Sequence, residues 1–139
     1  MTKSAPLTRP AKNTGQNIEY PRIVVVENDK LIAHLLKWRL STLGYNVAGV
    51  AANGSDALDL AKKLKPNLLM TEISLPGSID GIETARILKT QYGIPSIFVT
   101  SLSDKQTLQR AKATKPQGYI LKPFKDTDLR VAIELGRTQ

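Results

Sequence analysis

The hydrophobic period of this chain changes back and forth five times, and few folds accept that. Short continuous apolar runs alternate with stretches whose apolar residues recur about every 3.6 positions. The runs are "RIVVV" (22–26), "NVAGV" (46–50), "NLLMTE" (67–72), "PSIFVTS" (95–101) and "GYILK" (118–122). The helical patterns fall at 30–44, 55–65, 81–93, 104–115 and 126–137. A run that is apolar throughout, without alternation, suits a strand buried on both faces. Strands alternating with helices over short connections predict a parallel sheet covered by helices on both sides. The right-handed crossover rule leaves few ways to wind it.

Local signals mark the element ends. In the first helix Ile32, Leu36, Leu40 and Leu43 form the apolar stripe, and Gly44 ends it. Asp29, Ser55 and Asp126 are placed to cap the first, second and fifth helices. Pro66 stops the second helix, and Ile82, Ala85 and Leu88 point the third inward.

At 139 residues the chain suits one domain. Residues 1–20, polar with Pro, Thr, Lys and Asn, read as a flexible arm before a domain at 21–139. They lack the apolar core of a signal peptide, and no run approaches the ~20 apolar residues of a membrane span. The absence of cysteine excludes disulfides and thiolate zinc sites and fits a cytoplasmic protein. The chain stops soon after the last helical pattern, which suits either a single-domain protein or a piece of a longer one. The net charge of +8 is spread along the chain, as on solvated helix faces.

In open α/β sheets ligands bind beyond the carboxyl ends of the strands. The residues there are Glu27, Asn28 and Asp29 after the first strand, Ala51 after the second and Glu72 after the third. Thr100 and Ser101 follow the fourth, and Lys122 and Pro123 the fifth. Clustered carboxylates on loops suit a hard cation such as magnesium. A lysine and a hydroxyl beside them can hold phosphoryl oxygens, a set that makes sense for phosphoryl transfer onto a carboxylate.

From about Arg22 to Arg137 the chain resembles the receiver domain of two-component response regulators. The resemblance rests on Glu27-Asn28 at the acidic-pair position, "EISLPGSIDG" (72–81), Thr100-Ser101, and "GYILKPF" (118–124). It implies a CheY-like, flavodoxin-like (βα)5 fold with strand order 2-1-3-4-5. It also implies a phosphoacceptor position at Glu72, and switch or phosphate-contacting positions at Thr100, Ser101, Tyr119 and Lys122. The metal-site positions fall at Glu27, Asn28 and Ser74.

Two departures lie at the chemistry. Glu72 stands where the family has its acceptor aspartate, and Asn28 where it has the second acid of the pair. One extra methylene carries a carboxylate outward by roughly 1.3–1.5 Å, and a misplacement of about 1 Å can cost on the order of 100-fold in transfer. An amide at 28 weakens a magnesium site; Asp29, starting a helix, turns its side chain elsewhere. The expectation is a degenerate, non-enzymatic receiver that acts by protein interaction, without a required cofactor. Glu72 then pairs with Lys122, or mimics the phosphorylated acceptor and draws Thr100 and Tyr119 inward. The alternative is a working phospho-receiver served by a histidine kinase.

A nucleotide or flavin enzyme would need a phosphate loop where "ENDK" stands. A nucleic-acid binder has only the charge in its favour. The expected partner is a histidine kinase or effector. A homodimer through the helix 4–strand 5–helix 5 face is the other contact, with Lys105, Arg110, Lys112, Lys115, Lys125 and Arg130 facing Asp126, Asp128 or Glu134 of a second copy. His34 reads as a helical histidine away from the strand ends, and Trp38 as a packing residue.

Overall fold

The computed structural model describes residues 21–137. The expected arm at 1–20 and the last two residues of the expected domain lie outside that range. Five strands, β1 (Arg22–Val26), β2 (Asn46–Ala51), β3 (Leu68–Thr71), β4 (Ser96–Thr100) and β5 (Gly118–Leu121), alternate with five helices. These are α1 (Lys30–Thr42), α2 (Gly54–Leu64), α3 (Gly81–Tyr92), α4 (Lys105–Ala113) and α5 (Asp126–Leu135). The strands form one parallel sheet in the order β2-β1-β3-β4-β5, as expected.

The central strands carry no solvent face. β3 and β4 are buried at every position, and β1 at all but Arg22. Alternate residues feed two cores. Val24, Val26, Leu69 and Phe98 pack under α2 and α3 with Ala57, Ala61, Ile82, Ala85 and Leu88. Ile23, Val25, Met70, Ile97 and Val99 pack under α1 and α5 with Leu36, Leu40, Leu129 and Ile133. The period of two in a strand sends neighbours to opposite faces, so a run apolar at every position needs two cores.

Asp29 caps α1 as expected, its carboxylate accepting from the backbone N–H of Leu31 and Ile32. Two other caps differ. Asn53, not Ser55, caps α2, with its side-chain oxygen accepting from Asp56 N–H. The helix therefore starts at Gly54 and Ser55 lies inside it. Lys125, not Asp126, is the N-cap of α5. Asp128 reaches back to accept from Lys125 N–H, and Asp126 sits in the first turn. At α2 two capping residues stand close together and the path of the chain picks Asn53; at α5 the cap position falls on Lys125, which makes no side-chain cap bond.

Gly81 begins α3 where the helix presses on the end of β3. A Cβ there would run into the Glu72 carbonyl oxygen and lie 2.8 Å from both the Glu72 carbonyl carbon and Ile73 Cα. These are backbone atoms with no flexible end to move. Gly81→Ala is expected to cost about 2 kcal/mol, in the range for overpacking, measured as a lowered urea midpoint with unchanged slope.

Candidate functional site

The sheet itself gathers the candidate residues. β1, β3, β4 and β5 are neighbours and run in one direction, so their carboxyl ends finish together. The ladder also continues one residue past three of them. Glu27 N–H donates to Ala51 O, Glu72 N–H to Val26 O and Lys122 N–H to Thr100 O, each at 2.9 Å. The backbones of Glu27, Glu72 and Lys122 are thereby fixed to the sheet rather than left on mobile loops.

Their side chains meet. The Lys122 ammonium donates to Glu27 Oε1 at 2.7 Å and to Glu72 Oε1 at 2.6 Å. Both carboxylate side chains are under a tenth exposed, and the lysine is 16% exposed. The expected Glu72–Lys122 pair is present. The second carboxylate on the same ammonium, Glu27, was not foreseen as a Lys122 partner. Its other oxygen, Oε2, accepts from Asp29 N–H at 3.0 Å.

Glu72 Oε2 accepts three hydrogen bonds, from Ile73 N–H at 2.6 Å, from Ser74 N–H at 3.1 Å and from the Thr100 hydroxyl. Thr100 is fully buried at the end of β4, and its oxygen accepts in turn from Leu102 N–H at 3.3 Å. The Leu102 carbonyl receives the Tyr119 hydroxyl at 2.6 Å. The Tyr119 ring meets Phe98 edge-on, centroids 6.0 Å apart. A continuous set of contacts therefore runs from Lys122 through Glu72 and Thr100 to Tyr119. No sequence signal marks the Leu102 carbonyl as its relay, since a backbone oxygen carries no identity.

The charges follow from this geometry. Burial opposes ionisation of Glu72, but the hydrogen bonds from Lys122, Thr100 and Ser74 outweigh it and hold the carboxyl below its ordinary range. Burial likewise disfavours the Lys122 ammonium, and the two carboxylates reverse this and raise it. Burial raises the Tyr119 phenol, with the negative charges of Asp104 and Glu72 adding to it.

A magnesium ion here would have to compete with donors of the chain, since each of the four oxygens of Glu27 and Glu72 already accepts at least one hydrogen bond. Asn28 offers only a neutral amide. Among the described residues no three His, Cys, Asp or Glu side chains are grouped to hold an ion.

The remaining candidates are peripheral. Asn28, Ser74 and Ser101 are exposed; Ser74 takes part only through its backbone N–H. Asp29 is turned to the α1 amides, as expected. His34 is not remote from the strand ends: it lines a groove shared with Glu27 and Asn28. α1 starts only four residues after β1, so its first two turns stand beside the strand end. Trp38 does not pack in the core. It is 56% exposed, with the Arg39 guanidinium 5.6 Å from its ring centre. Several charges assigned to a second copy are used within the chain: Asp126 pairs with Arg39, Arg110 with Asp80, and Glu134 with Tyr45 and Arg137.

No helix among the described residues is long and apolar enough to cross a membrane. The family model "Response regulator receiver domain" matches residues 23–134. Transcriptional regulatory protein PdtaR of Mycobacterium tuberculosis is 32% identical over 115 residues, 83% of this chain and 56% of the relative. DNA-binding response regulator MtrA of Mycolicibacterium smegmatis is 32% identical over 120 residues, 85% of this chain and 52% of the relative. The chain thus spans about half the length of the curated relatives it matches. Among solved structures, the signal receiver domain of a modulated diguanylate cyclase from Desulfovibrio desulfuricans G20 is 40% identical with a TM-score of 0.80. That match covers 84% of this chain and 93% of the other. The BeF3-activated receiver domain of Klebsiella pneumoniae RstA is 29% identical at a TM-score of 0.73, covering 84% of this chain and 99% of the other.

Proposed function

The chain belongs to the response regulator receiver domain family, and on that premise we propose that it signals by binding, in a state set by Glu72 rather than by phosphorylation. The observation that carries this is the set of donors that hold Glu72. A carboxylate that accepts a phosphoryl group needs an oxygen with a free lone pair aimed at phosphorus. Here Oε1 faces the Lys122 ammonium and Oε2 takes three donors. At the acceptor position Glu72 already engages the lysine and the hydroxyl that would receive phosphoryl oxygens. It acts as a fixed anion, holding Thr100 and, through Leu102, Tyr119 in one arrangement. The Glu27–Lys122 pair takes the place of the metal, and the module works without magnesium.

The partner in this reading is a cytoplasmic protein of a two-component pathway, a histidine kinase or an effector. A homodimer through α4, β5 and α5 is supported by the exposed apolar side chains Leu108, Leu121 and Val131, one on each element. Lys105, Lys112 and Lys125 border them. A nucleic-acid role has only the net charge behind it.

Purified protein incubated with magnesium and acetyl phosphate is expected to gain no phosphoryl mass, with Thr100 and Tyr119 resonances unmoved. Stoichiometric phosphorylation under these conditions would refute the reading and leave an ordinary phospho-receiver. A Glu72→Asp variant that binds the partner as the native chain does would remove the fixed-anion role.

A further inference from the structure

A second site lies beside the strand ends and shares only Glu27 with the contacts described above. A groove of about 320 Å³ opens between α1 and the carboxyl ends of β1 and β2. Lys30, His34 and Lys37 all line it. Their spacing, four and then three residues, places them on one helix side. Val50 and Ala51 give it an apolar floor, and Asn28 supplies a neutral amide at its head.

The groove has no free acid to answer these side chains. None of the three takes part in an ion pair among the described residues. Glu27, the one carboxylate on the lining, is spent on Lys122 and on Asp29 N–H. The neighbouring Asp29 carboxylate faces the α1 amides. Two lysines and an imidazole around an apolar floor complement a compact dianion attached to a small apolar body. Lysine binds phosphate as a point charge, and imidazole adds a directional donor.

We propose that this groove binds a small phosphate monoester. The bound ester sits with its phosphate among Lys30, His34 and Lys37 and its organic group over Val50 and Ala51. The site is independent of Glu72, so it stands or falls apart from the role given to that residue.

The test is an NMR titration of the whole chain with phenyl phosphate, with benzoate and a phosphoserine hexapeptide as parallel arms. Saturable shifts are expected at residues 28–37 and 50–52. A Lys30→Glu, Lys37→Glu variant is expected to weaken binding at least tenfold, and His34→Gln several-fold. Reversing Lys105 and Lys112 on α4 is expected to leave it unchanged. Shifts that spread over all basic residues without saturating would overturn the site. So would affinity indifferent to the α1 reversals, or benzoate binding as tightly as phenyl phosphate. A phosphoserine peptide that binds tighter in the same groove would overturn the small-molecule assignment in favour of a phosphoprotein.

Discussion

A Glu72→Asp, Asn28→Asp double variant is expected to take a phosphoryl group from acetyl phosphate in the presence of magnesium, where the native chain takes none. The expected gain in rate is on the order of 100-fold or more. Two obstacles are removed together. Shortening residue 72 by one methylene draws its carboxylate back by roughly 1.3–1.5 Å and frees it from one or more of its present donors. An acid at 28 restores an anionic ligand, and a dication competing for Glu27 displaces the Lys122 ammonium from it. Each single change leaves one obstacle in place, so each single variant is expected to remain far below the double. Intact-mass measurement reads all four proteins directly. A double variant as inert as the native chain would show that the obstacle lies outside these two positions.

Replacing Lys122 by Met is expected to cost about 3 kcal/mol of stability at neutral pH, a figure at the low end for breaking a buried ion pair. The low end is chosen because the lysine is 16% exposed and some water reaches it. The cost arises because Glu27 and Glu72 stay buried and lose their shared cation. Urea unfolding of the two proteins measures it.

The pH dependence has a definite sign. Glu72 is depressed in the folded state, so its contribution is present above the ordinary glutamate value of about 4.3. It is lost as pH falls through the lower folded value. Lys122 is raised, so its contribution is present below the ordinary lysine value of about 10.4 and lost as pH rises through the folded one. The deficit of Lys122→Met is therefore widest between those limits and narrows below about pH 4.3. A deficit that stays constant down to strong acid would show that it comes from lost packing rather than from unpaired carboxylates.

The strand and helix positions were legible because hydrophobic period is a property of neighbours along the chain, whereas the sheet order followed only from the family resemblance. The short, β-branched "RIVVV" suits a strand covered on both sides, and the stripe through Leu36 and Leu40 suits a helix facing a core. The Glu72–Lys122 pair was legible for a related reason. In a parallel sheet the strands all deliver their following residues to one end, and a lysine after β5 is long enough to reach past β4 to an acid after β3. The caps of α2 and α5 were less so: Asn53 and Ser55 offer a helix end much the same acceptor, and Lys125 offers none, so only the path of the chain puts it at the cap. The exposure of Trp38 was not legible, since spacing gives an angle around the helix but not how far the neighbouring element reaches.

What the sequence determined by itself is therefore the parallel α/β architecture and the set of polar groups delivered to one edge of it. Tertiary structure alone decided how those groups divide their hydrogen bonds. It gave Lys122 two carboxylates instead of one, tied Thr100 to Glu72, and routed Tyr119 to the Leu102 carbonyl. It also placed His34 and Asn28 on the lining of one groove, whose one carboxylate, Glu27, is already engaged. The physical reason is range. Period and capping act over a few residues of chain, whereas partners at 2.6–2.7 Å are chosen among groups far apart in sequence that meet only after the sheet has closed.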